Sequence, residues 1–226
     1  DEHAAVPGHH EDDPAVIGVR DHDGRVAGRE GLVQDQVDAL GLRENTIIVF
    51  LSDNGHSVEE RAFFGGGSAG RYRGHKFTFW EGGIRTPCIV SWPGAVPSGE
   101  VRDQVVSSMD WFPTLARYCG LTLPENILDG RDISGVIQDP GAPSPHETLH
   151  WMLNKHWAVR EGPWKLVCNP PDIKANQDTH AEDTLFLCHL EEDPEEQHNR
   201  AAEHPEITQR LTHLHQQWLM DISGND

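Results

Sequence analysis

The chain has 226 residues, which is enough to bury a hydrophobic core in one or two domains. Its 37 Asp and Glu residues outnumber its 18 Lys and Arg residues, and the formal net charge is −19. This charge argues against nucleic acid or an anionic membrane as the main partner, because both would repel an acidic surface. Any anionic ligand must therefore be bound by a local group of basic residues.

The location of the protein is left open by the composition. No apolar run reaches the roughly 20 residues that a membrane-spanning helix needs, and the first residues lack the pattern of a signal peptide. The four cysteines are widely separated and form no CxxC pair, so buried free thiols are the simplest interpretation. Residues 1–31 show no periodicity and are predicted to be loop, with a hydrated acidic cluster at residues 9–13.

The pattern that follows is typical of an α/β sheet. Residues 32–42 carry an apolar stripe at helical spacing that ends at Gly41, which predicts a short amphipathic helix. Residues 47–51 form an uninterrupted apolar run, which predicts a strand buried on both faces, and residues 88–92 predict a second buried strand. Asp110 is predicted to cap the next helix.

The chain changes character after a Pro- and Gly-rich linker at residues 138–147. Two short apolar segments flank the turn at residues 161–163 and predict a hairpin, and residues 184–190 predict a third strand after a polar segment. Pro205 opens a last helix with one apolar face. We therefore expect a small antiparallel sheet packed with one helix.

A candidate metal site follows the first apolar strand. Asp53 and Asn54 lie where residues 47–51 end, and open α/β sheets bind ligands at the carboxyl ends of their strands. Gly55 permits a turn that could bring both side chains to one ion, and their oxygens suit Ca²⁺ or Mg²⁺. Two ligands do not complete such a site, and Asp-Asn-Gly is also an ordinary turn sequence.

A candidate anion site lies about two dozen residues further along. Lysine is a compact charge that suits a tetrahedral oxyanion, and neighbouring aromatic residues can exclude water from it. The glycine-rich run at residues 65–70 is not a phosphate-binding loop, because Arg71 and Tyr72 follow it in place of Lys and Ser or Thr. A basic surface stripe is the alternative interpretation. The basic residues concerned are Arg71, Arg73, Lys76 and Arg85.

Taken in order, these features resemble the second half of the sulfatases of the alkaline phosphatase superfamily. The Ser-Asp-Asn-Gly turn and the Gly-x-Lys of residues 74–76 are followed by similar motifs at residues 81–87, 108–115, 129–130, 160–165 and 190–196. The resemblance implies an α/β fold: part of an alkaline-phosphatase-like mixed sheet flanked by helices, with a small C-terminal antiparallel sheet packed with one helix. Residues 32–140 would be the C-terminal part of the catalytic domain, and residues 146–226 a C-terminal subdomain.

The resemblance also implies roles for individual residues. Asp53 and Asn54 would bind a divalent ion, Ca²⁺ or alternatively Mg²⁺, and Lys76 would bind the sulfate group of the substrate. The substrate would be a sulfated small molecule or polysaccharide, with no nucleic acid or membrane as partner, and the complete protein would be periplasmic or secreted. The neighbouring residues with possible supporting roles are His56, His75 and Arg85.

The sequence departs from the family at the nucleophile. In sulfatases this is a formylglycine made from the cysteine of Cys-x-Pro-Ser-Arg, and the closest match here, at Cys168, lacks the Ser and the Arg. We therefore expect the N-terminal half of the enzyme to be missing, and this chain alone to show no esterase turnover. Two alternatives stay open: a phosphonate or phosphate monoester hydrolase of the same superfamily, and a non-catalytic remnant.

Overall fold

The computed structural model describes residues 17–18, 29–60, 65–123, 128–170 and 184–224. The predicted acidic cluster at residues 9–13, most of the predicted loop at residues 1–31 and the greater part of the polar segment before the last strand lie outside these ranges. Within them, no helix is both long and apolar enough to cross a bilayer.

The first helix, α1, covers Arg29–Ala39. Gly41 ends it as predicted, with a φ of 66° that lies in the left-handed region favoured by glycine. The prediction of a buried apolar stripe is wrong, because Val33 is 56% exposed and Leu40 is 69% exposed. The end signal in the sequence was therefore a better guide to this helix than its apolar spacing.

Four short strands form a mixed sheet in the order β2-β3-β1-β4. β3 runs parallel to β1 and antiparallel to β2, which confirms the mixed sheet. β1 lies in the segment predicted to be loop, because two residues are too few to show a period in the sequence. The strands are β1 Ile17–Gly18, β2 Ile48–Leu51, β3 Cys88–Ser91 and β4 Val101–Arg102.

The two predicted strands differ in burial, and the prediction that β2 is buried on both faces is wrong. Phe50 in β2 is 39% exposed, whereas Val90 in β3 is fully buried. β2 lies at the edge of the sheet in the described chain, so only β3 covers its backbone. The core around Val90 includes Ile133 and Ile137. The helices of this part are α2 Glu81–Ile84, α3 Trp111–Tyr118 and α4 Ser134–Gln138.

Asp110 does not cap α3 with its side chain, contrary to the prediction. A turn of 3₁₀ helix precedes α3, and Ser107 caps that turn. The Asp110 carboxylate accepts hydrogen bonds from the backbone N–H groups of Ser107 and Arg131, both at 2.7 Å, and lies 2.9 Å from the ring of His146. This buried carboxylate therefore joins three separate segments beside the core.

The C-terminal sheet is an antiparallel meander in the order β5-β6-β7-β8. The predicted hairpin and the third strand are confirmed, but the sequence did not reveal β5, which follows the linker directly and pairs with β6 along its whole length. Leu149, Trp151 and Leu153 alternate along this run, which is a strand signal that the prediction missed. The strands are β5 Thr148–Leu153, β6 His156–Glu161, β7 Trp164–Cys168 and β8 Leu185–His189.

The last helix, α5, covers Pro205–Ser223 with proline in its first turn, as predicted. Its apolar face packs on one side of the C-terminal sheet, where Leu211 is fully buried against Val159, Leu166 and Leu187. The other side of this sheet covers Trp80, which is also fully buried. The C-terminal sheet thus lies between α5 and the segment that leads into α2.

A pair of histidines makes the packing of α5 sensitive to acid. His215 is buried and stacks on Trp157 at 4.2 Å, and within the described residues neither of its ring nitrogens has a hydrogen-bond partner. Burial lowers its pKa, and burial together with His215 lowers the pKa of His150 to about 4. The folded state therefore prefers both rings neutral.

We expect the free energy of unfolding to fall by about 1 kcal/mol between pH 7 and pH 5, a value reduced to allow for the half-exposed ring of His150. The unfolded chain binds protons below its ordinary histidine pKa of about 6.5, so stability is complete above that pH and is lost as the pH falls towards 4. Urea titrations at several pH values measure this. The double variant His150→Phe/His215→Phe should lose this part of the dependence, whereas His213→Phe, at an exposed position, should retain it.

Candidate active site

The turn after β2 carries the two predicted metal ligands. Ser52 Oγ donates to the carbonyl oxygen of Asn54 at 2.7 Å, which closes the turn directly after the strand. Asp53 is exposed and Asn54 is half-buried. Both line a cavity of about 320 Å³, which Arg85 also lines. Three of the predicted site residues therefore share one cavity at the end of β2.

The backbone of this turn rests directly on α2. The N–H of Gly55 donates to the carbonyl oxygen of Gly83 at 2.9 Å. A Cβ atom on Gly55 would lie 1.9 Å from the carbonyl oxygen of Gly82, far inside van der Waals contact. Gly82 is equally confined, because a Cβ there would lie 2.6 Å from the carbonyl oxygens of Arg73 and Gly74. Only glycine fits at these positions, and they bring two distant segments together.

Lys76 belongs to a second group beside this turn. Its backbone N–H donates to the carbonyl oxygen of His56 at 3.0 Å, and its ammonium lies 3.8 Å from the carboxylate of Glu59. His75 Nδ1 lies 2.8 Å from the carbonyl oxygen of Lys76, and the His56 and His75 rings are 6.3 Å apart. None of these residues lines the cavity. The structure thus brings the predicted residues together as two adjoining groups joined through Gly55 and His56.

The aromatic residues near Lys76 were predicted to shield it from water. Tyr72 and Trp80 are buried, but they pack on other basic residues: the Arg85 guanidinium lies 4.8 Å from the Tyr72 ring centre, and that of Arg73 lies 3.9 Å from the Trp80 ring centre. The Lys76 ammonium lies 5.2 Å from the ring centre of Phe77, which is itself 52% exposed. The Lys76 side chain is 31% exposed in the described chain, so Phe77 shields it from water only in part.

A buried ion cluster next to the site was not assigned a role from the sequence. The Lys165 ammonium lies 2.6 Å from the Glu81 carboxylate and 2.7 Å from that of Glu196. Burial alone would lower the pKa of Lys165, but the two carboxylates raise it above its usual range, so the lysine is charged. Burial would raise the pKa of Glu81, and Lys165 lowers it below its usual value. The motifs at residues 160–165 and 190–196 contained two of these residues without indicating their contact.

The two predicted metal ligands, Asp53 and Asn54, would make only part of a coordination sphere. Within the described ranges, no group of three or more His, Cys, Asp or Glu side chains is placed to hold an ion. A carboxylate and an amide oxygen at the cavity are nevertheless donors that a hard cation prefers. Asp53 and Asn54 thus fit a divalent ion that takes its other ligands from elsewhere.

Comparison with known proteins supports the resemblance. The sulfatase family model matches residues 26–121. Through this segment the chain is similar to the sulfatases. Human steryl-sulfatase is 42% identical over 154 residues, which cover 63% of this chain and 26% of that protein. Human arylsulfatase A is 32% identical over 205 residues, which cover 81% of this chain and 40% of that protein.

Solved structures agree with this assignment. A Bacteroides thetaiotaomicron protein, from work on the metabolism of multiple glycosaminoglycans, superposes with a TM-score of 0.68 and 28% identity over 83% of this chain and 41% of that one. The phosphonate monoester hydrolase of Agrobacterium radiobacter superposes with a TM-score of 0.55 at 21% identity, over 85% of this chain and 38% of that one, which shows a shared fold alone. The chain spans about two fifths or less of the length of these relatives.

Proposed function

We propose that this chain is the C-terminal part of a sulfatase that hydrolyses sulfate monoesters. The observation that supports this most directly is the contact of Gly55 with Gly82 and Gly83, because it places Asp53, Asn54 and Lys76 in two adjoining groups within a sulfatase-family segment. The proposed substrate is a sulfated small molecule or polysaccharide. Residues 32–140 would belong to the catalytic domain and residues 146–226 to a C-terminal subdomain of a periplasmic or secreted enzyme.

Each predicted residue has a role in this proposal. The side-chain oxygens of Asp53 and Asn54 would hold Ca²⁺, or Mg²⁺, which neutralises charge on the sulfate oxygens when bound. Lys76 would leave its 3.8 Å contact with Glu59 and donate to a sulfate oxygen. His56 and His75 would support the backbone around Lys76, and Arg85 would form part of the cavity wall. The formylglycine nucleophile and the remaining metal ligands would come from outside this chain.

A second candidate function is hydrolysis of phosphate or phosphonate monoesters, because a cation and a lysine serve any tetrahedral oxyanion and the fold is shared with such a hydrolase. Matched aryl sulfate and aryl phosphate esters distinguish the two when assayed with the complete protein. A clear preference for the phosphate ester would overturn the sulfatase proposal.

We expect Lys76→Met in the complete protein to lower kcat/KM for an aryl sulfate by about 100-fold, which is the typical effect of removing one charge-stabilising donor from a transition state. Steady-state kinetics measure this. The matched control is Lys155→Met, at an exposed lysine in the turn between β5 and β6, which should keep its activity. Equal rates for the Lys76 variant and the control would exclude Lys76 as a sulfate-binding residue.

A further inference from the structure

The helix α2 is too short to be stable by itself. It has four residues, two of them glycine, and a single turn does not repay the free-energy cost of helix nucleation. Its residues Glu81, Gly82 and Gly83 are nevertheless buried. The position of α2 must therefore be determined by contacts with other segments.

Two residues of the C-terminal part supply some of these contacts, in addition to the bond from the N–H of Gly82 to the carbonyl oxygen of Arg73 at 2.6 Å. Glu196 Oε2 accepts a hydrogen bond from the backbone N–H of Glu81 at 2.6 Å, which satisfies a donor at the start of α2. The Lys165 ammonium bridges the carboxylates of Glu81 and Glu196. Side-chain exposure is 3% for Glu81 and zero for the other two, so water does not compete for these charges. Arg73 adds a bond to the carbonyl oxygen of Glu196 at 3.0 Å.

The carbonyl groups of α2 contact the proposed metal-binding turn. Gly55 donates to the carbonyl oxygen of Gly83 and lies against that of Gly82 without room for a side chain. A displacement of α2 would consequently move or release Gly55, and with it Asn54 and Asp53. The helix is thus in contact with both the ion cluster and the turn.

We propose that Lys165 and Glu196 are positioning residues: they fix α2, and α2 fixes the backbone that carries Asp53 and Asn54. Buried ion clusters add little net stability compared with apolar packing, but they permit few alternative arrangements, because each displaced charge would be left unpaired. A charged cluster at this point is consistent with a requirement that α2 be held in one position. The catalytic meaning of this inference rests on the function proposed above, whereas the contacts themselves do not.

Hydrogen exchange of the Gly55 amide tests the inference on the 226-residue chain. In Lys165→Met we expect this amide to exchange at least about 10-fold faster, because its acceptor on α2 is no longer held in place. Glu196→Gln, which keeps the shape of the side chain, should show a smaller increase and provides the test if Lys165→Met does not fold. Leu211→Ala is the control: it removes a fully buried side chain on the α5 side of the sheet, away from α2.

The variants and the control are compared under conditions in which their free energies of unfolding are equal. Global unfolding then contributes equally to exchange in all of them. Exchange at Gly55 that is no faster in Lys165→Met and Glu196→Gln than in Leu211→Ala would overturn the inference. Calcium affinity of the complete protein is a separate readout, expected to fall in Lys165→Met and to stay unchanged in Leu211→Ala. If the wild-type complete protein binds no calcium, the proposed metal site fails, and the exchange result still decides whether Lys165 and Glu196 position the turn.

Discussion

An alanine at position 55 is expected to lower the free energy of unfolding by about 3 kcal/mol, at the upper end of the usual cost of overpacking. The added Cβ would lie 1.9 Å from the carbonyl oxygen of Gly82. The backbone fixes the positions of both atoms, so no change of rotamer can separate them. The turn must therefore separate from α2. Denaturant unfolding followed by tryptophan fluorescence measures the loss.

The matched control for this prediction is Gly135→Ala. Gly135 is exposed in α4, and a Cβ there would have no neighbour within 4 Å. Alanine favours the helix over glycine by about 0.5–1 kcal/mol, so this variant should be as stable as the wild type or slightly more stable. If the Gly55 and Gly135 variants were equally stable, the close approach of the turn to α2 would be wrong.

Replacement of Asp53 by alanine is expected to have the largest effect on function. If Asp53 is a ligand of the proposed cation, its loss removes a formal negative charge from the ligands of the ion, and we expect calcium affinity and kcat of the complete protein to fall by at least about 100-fold. Equilibrium dialysis with elemental analysis measures the first quantity, and an aryl sulfate assay measures the second.

Asp35→Ala provides the control, because Asp35 is an exposed carboxylate in α1 and its loss changes the net charge equally. This variant should bind calcium and turn over substrate like the wild type. Unchanged calcium binding in Asp53→Ala would remove Asp53 from the metal site, whatever its effect on activity. A fall in both variants would point instead to a general effect of charge.

The sequence was informative where local signals and tertiary structure agree. Gly41 ended α1 as predicted, with a left-handed φ angle, and Pro205 opened α5. These signals depend on the conformation of one or two residues and hold in any tertiary context. The Ser-Asp-Asn-Gly turn was likewise placed correctly after β2.

The sequence was less informative where a long-range contact decides the outcome. The exposure of Phe50 depends on which strands cover β2, and the role of Lys165 depends on a partner 84 residues away. No local pattern distinguishes a lysine that is buried between two carboxylates from one on the surface. The same applies to Asp110, whose position suggested a helix cap. Its carboxylate instead contacts the backbone N–H of Arg131 and the ring of His146, which are distant in sequence.

The bond between Glu81 and Glu196 spans 115 residues. During synthesis on a ribosome, the N-terminal side of this contact is made long before its partner, and loop closure over such a distance is slow compared with local folding. If Glu196 fixes α2 as proposed, the turn at Asp53 would reach its final position only after Glu196 has left the exit tunnel. Until then a nascent chain would hold α2 without its contacts to Lys165 and Glu196.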